Sequence, residues 1–223
     1  MARTYPIELL VAGRPVVVVG GGRVAARKVA GLIEAGARVR VVSTGFAREL
    51  QECKEVVREA RPYGPDCLAE AVLVFACTDD RAVNAAVAED ARRRGILCNV
   101  VDDPAGCDFH VPAVLRRGAL TLTVSSGGEC PMFCAAVRDR LASQFGPEWG
   151  ILAEEMARAR VILKQRVADP AVRRRILETL CTDCSLKLLS ADDRSAWRDW
   201  FERILAHRIE RPRGASADLD EEV

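Results

Sequence analysis

Apolar residues follow two alternating rhythms along the first hundred positions. Short, nearly unbroken β-branched runs occur at Val16–Val19, at Val39, Val41 and Val42, at Val72–Cys77 and at Ile96–Val101, with a weaker one at Val56–Arg61. Between them the apolar positions are spaced for helices: Ala25, Val29, Leu32 and Ile33 within Arg23–Ala35, and Val83, Ala86, Val87 and Ala91 within Arg81–Arg94. Short helical segments are expected at Phe46–Cys53 and from Pro65 to Ala71. Strands that are apolar throughout, alternating with helices, predict a parallel sheet covered on both faces. Residues 1–110 are therefore read as a doubly wound α/β domain of the Rossmann type.

The rhythm then changes. His110–Leu115 and Ala119–Ser125 read as two strands joined at Arg116-Arg117-Gly118, a small strand-containing region over 111–147. Helical spacing dominates afterwards, in Pro131–Phe145, Glu148–Val167, Ala171–Leu180 and Ala191–Ile209, with breaks at Pro147, Asp169-Pro170 and Ser190-Ala191. Residues 148–210 are read as a helical C-terminal region, with Trp197, Trp200 and Phe201 forming an apolar stripe for packing. The polar stretch 211–223 is read as a disordered tail.

Composition narrows the function. The 223 residues carry 33 Lys+Arg against 32 Asp+Glu, a net charge of +1. Such a chain has no global field to draw nucleic acid or an acidic membrane, so any anionic ligand needs a local cluster. No run approaches the ~18 uninterrupted apolar residues of a membrane span. The start of the chain carries two short apolar runs split by Gly13-Arg14-Pro15 and no export pattern, so a cytoplasmic protein is expected. Nine cysteines, an odd number and partly within apolar runs, argue against a disulfide framework.

Gly20-Gly21-Gly22-Arg23-Val24-Ala25 fits G-x-G-x-x-A between a strand and a helix. There the first glycine permits a tight turn, the second admits a pyrophosphate close to the backbone, and Ala25 lets the helix pack on the strand. Phosphates would sit on the N–H groups of the helix start. The second strand ends in Ser43-Thr44 with no acidic residue for a ribose 2′-OH, while Arg40 offers either a 2′-phosphate partner or a solvated strand charge. Asn99-Val100-Val101-Asp102-Asp103-Pro104 lies at the carboxyl end of the last parallel strand, where a carboxylate can accept a proton beside a cofactor or simply form an Asp-Pro turn.

Four blocks together carry a resemblance: VVVVGGGRVAARKVAGLIEAGARVRVVS, FACTDD, CNVVDDPAGCDFHVPA and TLTVSSGG. From about Tyr5 to Ala157 the chain resembles the precorrin-2 dehydrogenase family, which includes the amino-terminal module of siroheme synthase. The resemblance implies NAD-dependent oxidation of precorrin-2 to sirohydrochlorin, with Fe²⁺ insertion in some members. It also implies homodimers with a dimerisation and substrate region over 111–147, and an active site between domains. It places the essential aspartate on Asp102, and cofactor contacts on Gly20, Gly22, Arg23, Val24, Ser43, Thr44, Gly45, Thr78 and Asp79. Substrate contacts fall on Asn99, Ser126, Gly127 and Gly128. Arg116, Arg117 and Arg138, with Arg140, Arg158 and Arg160 nearby, are candidates for pairing with the carboxylate-rich tetrapyrrole.

The chain departs from the family after SSGG, where Glu129-Cys130-Pro131-Met132-Phe133-Cys134 replaces small residues. No metal site is assigned, beyond Asp102 serving a chelatase step. Cys181-x-x-Cys184 is half of a thiolate site that Cys130 and Cys134 complete only if the fold unites them. Two alternatives stay open: a bifunctional dehydrogenase and ferrochelatase, and an NAD(H)-sensing module without catalysis.

Overall fold

The computed structural model describes residues 4–189 and 193–210. The chain divides into two compact units, Met1–Val111 and Pro112–Val223. In the first unit, strands β1 (Pro15–Val19), β2 (Arg38–Ser43), β3 (Val57–Ala60), β4 (Leu73–Ala76) and β5 (Leu97–Val100) form one sheet in the order β3-β2-β1-β4-β5. All four neighbouring pairs are parallel. The central strand, PVVVV, is buried on both faces, and its alternating side chains feed two separate cores. Val16 and Val18 meet Ala25, Val29 and Leu32 of α1 (Arg23–Glu34) and Leu50 of α2 (Arg48–Glu52). Val17 and Val19 meet Val87, Ala88 and Ala91 of α3 (Arg81–Arg94), together with Cys67 and Leu68 of a 3-10 turn. Each fully buried valine contributes about 1.5–3 kcal/mol.

Helix α3 has both termini built as its sequence predicts. The Asp80 carboxylate accepts the Ala82 and Val83 N–H groups (2.8 and 3.3 Å). Gly95, at φ +66°, closes the other end behind Arg92, Arg93 and Arg94.

In the second unit, β6 (Ala113–Arg117) and β7 (Leu120–Val124) form an antiparallel hairpin. Helices α4 (Pro131–Gln144), α5 (Pro147–Arg166), α6 (Pro170–Leu180), α7 (Asp183–Leu188) and α8 (Ser195–Glu210) follow. Gly150 of α5 packs against the hairpin turn, where an added Cβ would lie 2.5 Å from the Arg117 carbonyl oxygen. The helical core gathers Leu163, Ile176, Leu180 and Leu205 with Trp197, Trp200 and Phe201, the expected stripe.

Within this core Glu155 is 2% exposed. Its carboxylate receives Arg198 (2.9 and 3.2 Å), Arg194 (3.1 Å) and Arg158 (3.4 Å), tying α5 to α8. Hydrogen bonding from Arg198 holds it below the usual carboxylate range, against the opposing effect of burial.

Two expectations shift. The last helix begins at Ser195, where the Asp193 carboxylate accepts the Ser195 N–H (2.8 Å), not at Ala191, which with Ser190 lies outside the described residues. Helix α7 has no counterpart in the expected elements, because six residues are too short for an apolar period to register. The expected tail, 211–223, also lies outside the described residues.

Candidate active site

The carboxyl edge of the parallel sheet gathers three segments around the β1–α1 turn, the position where the strand order reverses. Gly20 adopts φ +116°, and a Cβ there would stand 2.4 Å from the Cys77 carbonyl oxygen and 3.0 Å from the Thr78 nitrogen. A Cβ on Gly21 would stand 1.9 Å from the Gly45 oxygen and 2.8 Å from Ser43 Oγ. Both glycines are thus demanded by backbone from neighbouring strands. Gly22 differs: it is exposed, has φ −81° and would place a Cβ in open space.

Gly22 caps α1 without a side-chain hydrogen bond, and no acidic residue lies in the first turn. The helix start therefore presents N–H groups and a positive dipole end to open space above Gly22, which suits a pyrophosphate. Arg23 is exposed, Val24 is half-buried, and Ala25 is fully buried against the sheet.

The flanking segments are pinned by local bonds. Ser43 Oγ accepts the Gly45 N–H (3.3 Å), leaving Thr44 exposed at the end of β2. Arg40 does not reach this edge freely: it donates to Glu59 (3.1 Å) and to the carbonyls of Cys67 (2.7 Å) and Ala69 (3.3 Å). At the end of β4, buried Asn84 clamps Thr78 by accepting from its N–H (3.1 Å) and hydroxyl (2.7 Å) and donating to its carbonyl (2.9 Å). Asp79 is left exposed beyond the clamp. Asn84 was legible only as a polar residue interrupting an otherwise apolar helix face.

Past β5, Val101 extends the ladder by donating to the Ala76 carbonyl (2.9 Å), and the chain turns at Asp102. Asp102 is exposed and holds φ +59°, a left-handed conformation rare outside glycine. The return of the chain supports that turn. Cys98 N–H donates to Asp108 Oδ2 (2.8 Å), while Cys107 Sγ accepts from Val100 N–H (3.2 Å) and donates to Val100 O (3.2 Å). Asn99, expected at the substrate, is buried and donates to the Phe109 carbonyl (2.9 Å), so it acts on the loop that carries Asp102.

Beneath this edge the Lys28 ammonium lies 5.6 Å from the Phe75 ring centre, and Phe75 meets Phe109 edge-on at 5.5 Å. Burial pushes the Lys28 ammonium below its ordinary value and the Cys77 thiol up to about 11. Sequence reading passed over Lys28, whose charge on a helix resembles any solvated lysine.

In the second unit, Ser126 Oγ accepts the Cys130 N–H (2.9 Å) and Ser125 Oγ accepts the Gly127 N–H (3.2 Å). These bonds shape a loop in which Gly127 and Gly128 have positive φ. Met132 and Phe133, just beyond, are exposed.

The candidate arginines separate. Arg117 donates to the Phe145 (2.7 Å) and Ala142 (3.1 Å) carbonyls and so caps α4. Arg116 bonds Thr121 (3.2 Å), Arg138 pairs with Asp139 (2.6 Å), and Arg158 serves Glu155. All nine cysteines are free thiols, and among the described residues no group of three or more His, Cys, Asp or Glu assembles to hold a metal.

Residues 7–113 match the model of a putative NAD(P)-binding family, and residues 148–205 match the sirohaem synthase dimerisation region. The siroheme synthase of Nitrosospira multiformis is 39% identical over 214 residues, which are 93% of this chain and 45% of that protein. Siroheme synthase 1 of Pectobacterium atrosepticum is 39% identical over 181 residues, 80% of this chain and 38% of that protein.

The chain joins a putative NAD(P)-binding segment to a sirohaem synthase dimerisation region.

It spans less than half the length of these relatives. The siroheme synthase family's dimerisation model covers the helical segment that holds Glu155 and its arginines, and stops short of the β6–β7 hairpin. A solved structure titled SirC, precorrin-2 dehydrogenase, shares the fold, with a TM-score of 0.73 at 22% identity over 90% of this chain and all of that one. Among the described residues no helix is long and apolar enough to cross a membrane.

Proposed function

We propose that the chain oxidises precorrin-2 to sirohydrochlorin with NAD as the hydride acceptor, acting as a cytoplasmic homodimer. The observation that carries this reading is the sheet edge itself: an uncapped helix start above Gly22 and a strained, exposed Asp102 two strands away on the same carboxyl edge. A nicotinamide cofactor supplies the hydride acceptor when bound. Arg23 and Val24 would offer backbone N–H groups to its phosphates, with Ser43, Thr44 and Gly45 beside the ribose and Thr78 and Asp79 beside the ring. NAD is preferred over NADP because Arg40, the cation of β2 nearer the ribose end, is committed to Glu59 and two carbonyls.

In the oxidation two electrons leave the tetrapyrrole as a hydride, and a proton leaves with them. Asp102 accepts that proton, and its exposed position lets the carboxylate meet a ring carbon or nitrogen directly. Asn99, Cys107 and Asp108 are positioning residues, since their bonds fix the loop. Ser126, Gly127 and Gly128 contact the substrate, and Arg116 and Arg138 pair with its carboxylates.

Asp102→Ala tests the assignment. The variant is expected to fold, to bind NADH as the wild type does, and to lose about 10²–10⁴-fold in turnover. Near-normal turnover would remove Asp102 from the reaction. Titration with NADH and NADPH tests the cofactor, and tighter NADPH binding would contradict the preference. NADH binding without turnover of precorrin-2 would leave a nucleotide-sensing module in place of an enzyme.

A further inference from the structure

The Lys28 charge in the first unit has no counter-ion. Lys28 is half-buried on α1, turned toward the sheet, with its ammonium over the Phe75 ring (5.6 Å to the centre). It makes neither a hydrogen bond nor an ion pair among the described residues. No carboxylate stands at i±3 or i±4 on the helix, where Val24, Ala25, Gly31 and Leu32 are found. The titratable groups that face it are the Cys77 and Cys107 thiols and its neighbour Arg27, which is exposed and so screened by solvent.

The two thiols locate the charge. Cys77 directly follows β4, packs its carbonyl against Gly20 of the β1–α1 turn, and leads into Thr78 and Asp79. Cys107 braces the Asp102 turn from both sides, by its bonds to Val100 (3.2 Å) and by donating to the Asp103 carbonyl (3.3 Å). Lys28 thus sets an uncompensated positive charge close to the end of β4 and to the support of Asp102. Packing does not require that charge. A methionine of similar reach would cover Phe75 without desolvating an ammonium, and the aromatic face offsets that cost only in part.

We propose that Lys28 sets the preference of the site between the two redox forms of its nicotinamide cofactor, disfavouring the cationic oxidised ring and favouring the neutral reduced one. This rests on the cofactor placement proposed above, with the ring beside Thr78 and Asp79. The two forms share phosphates and riboses and differ by one positive charge on the ring. A fixed cation in a partly desolvated setting repels that charge more strongly than it would in water. Tighter binding of the reduced form makes the bound couple a better hydride acceptor, which favours removal of the hydride from the substrate. Lys28 acts here as a positioning charge and not as a proton carrier.

The full chain is titrated at neutral pH with NAD⁺, NADH and ADP-ribose, which lacks the ring, as wild type, Lys28→Met and Lys28→Arg. The wild type is expected to bind NADH more tightly than NAD⁺. Lys28→Met should lower the ratio of the two dissociation constants about fivefold or more, with ADP-ribose affinity and circular dichroism unchanged. Lys28→Arg should keep the wild-type ratio. An unchanged ratio in Lys28→Met would overturn the proposal. Parallel weakening of all three ligands would also overturn it, by making Lys28 a packing residue of α1. A wild type that binds ADP-ribose but neither nicotinamide form would remove the proposed cofactor and this inference with it. A shifted ratio without precorrin-2 turnover would support the Lys28 assignment and count against the proposed activity alone.

Discussion

The two units place polar groups by opposite means. In the first, the core strands are apolar on both faces, and the candidate site is shaped largely by backbone: glycines at Gly20–Gly22, strand ends at Ser43 and Thr78, and a left-handed turn at Asp102. In the second, side chains carry the polarity inward. Glu155 is buried under three arginines. Backbone sites tolerate almost no change in shape but are indifferent to most side chains. Side-chain sites tolerate shape changes and fail when one charge is removed.

The sharpest break of that contrast is Gly21→Ala. Its Cβ would overlap the Gly45 oxygen at 1.9 Å, and because that neighbour is backbone there is no cheap relaxation. The variant is expected to lose more than about 4 kcal/mol, enough to leave unit one unfolded by circular dichroism.

Glu155→Ala comes next, at about 3–5 kcal/mol in chemical denaturation, because three guanidinium groups lose their shared partner. The carboxyl lies below its ordinary value of 4.5 in the folded chain. Its contribution is therefore complete above that pH and is lost as pH falls through the lowered value. Melting temperature should fall more steeply as pH drops below 4.5 in the wild type than in Glu155→Gln.

Arg117→Ala should cost about 2 kcal/mol by removing charged donors from the α4 carbonyls. If substrate affinity falls while stability holds, Arg117 is a ligand contact and the cap is incidental. The smallest effect belongs to Gly22→Ala. Stability should be unchanged because the Cβ meets nothing, while NADH affinity drops about tenfold, or about 1.4 kcal/mol, as the methyl enters the phosphate space.

Much of the first unit was legible because its signals are local and repeat. PVVVV has no period that a surface element could use, and Asp80 with Gly95 brackets α3 at both predicted ends. The glycine turn was legible as a motif, yet the division of labour within it was not. The motif leaves Gly21 unspecified, and its necessity comes from Gly45, 24 residues away just past the end of the neighbouring strand β2. Asn84, Cys107 and Asp108 act through contacts that spacing does not encode. Arg117 and Arg138 looked alike as charges beside the substrate region, and only the fold separates a helix cap from a pair with a neighbouring aspartate.

The most direct test of the account is anaerobic incubation of the purified chain with precorrin-2 and NAD⁺, following NADH and sirohydrochlorin absorbance together. Both should appear in equal amounts, and with Asp102→Ala both should form about 10²–10⁴-fold more slowly. Sirohydrochlorin failing to form while NADH binding is intact would contradict it.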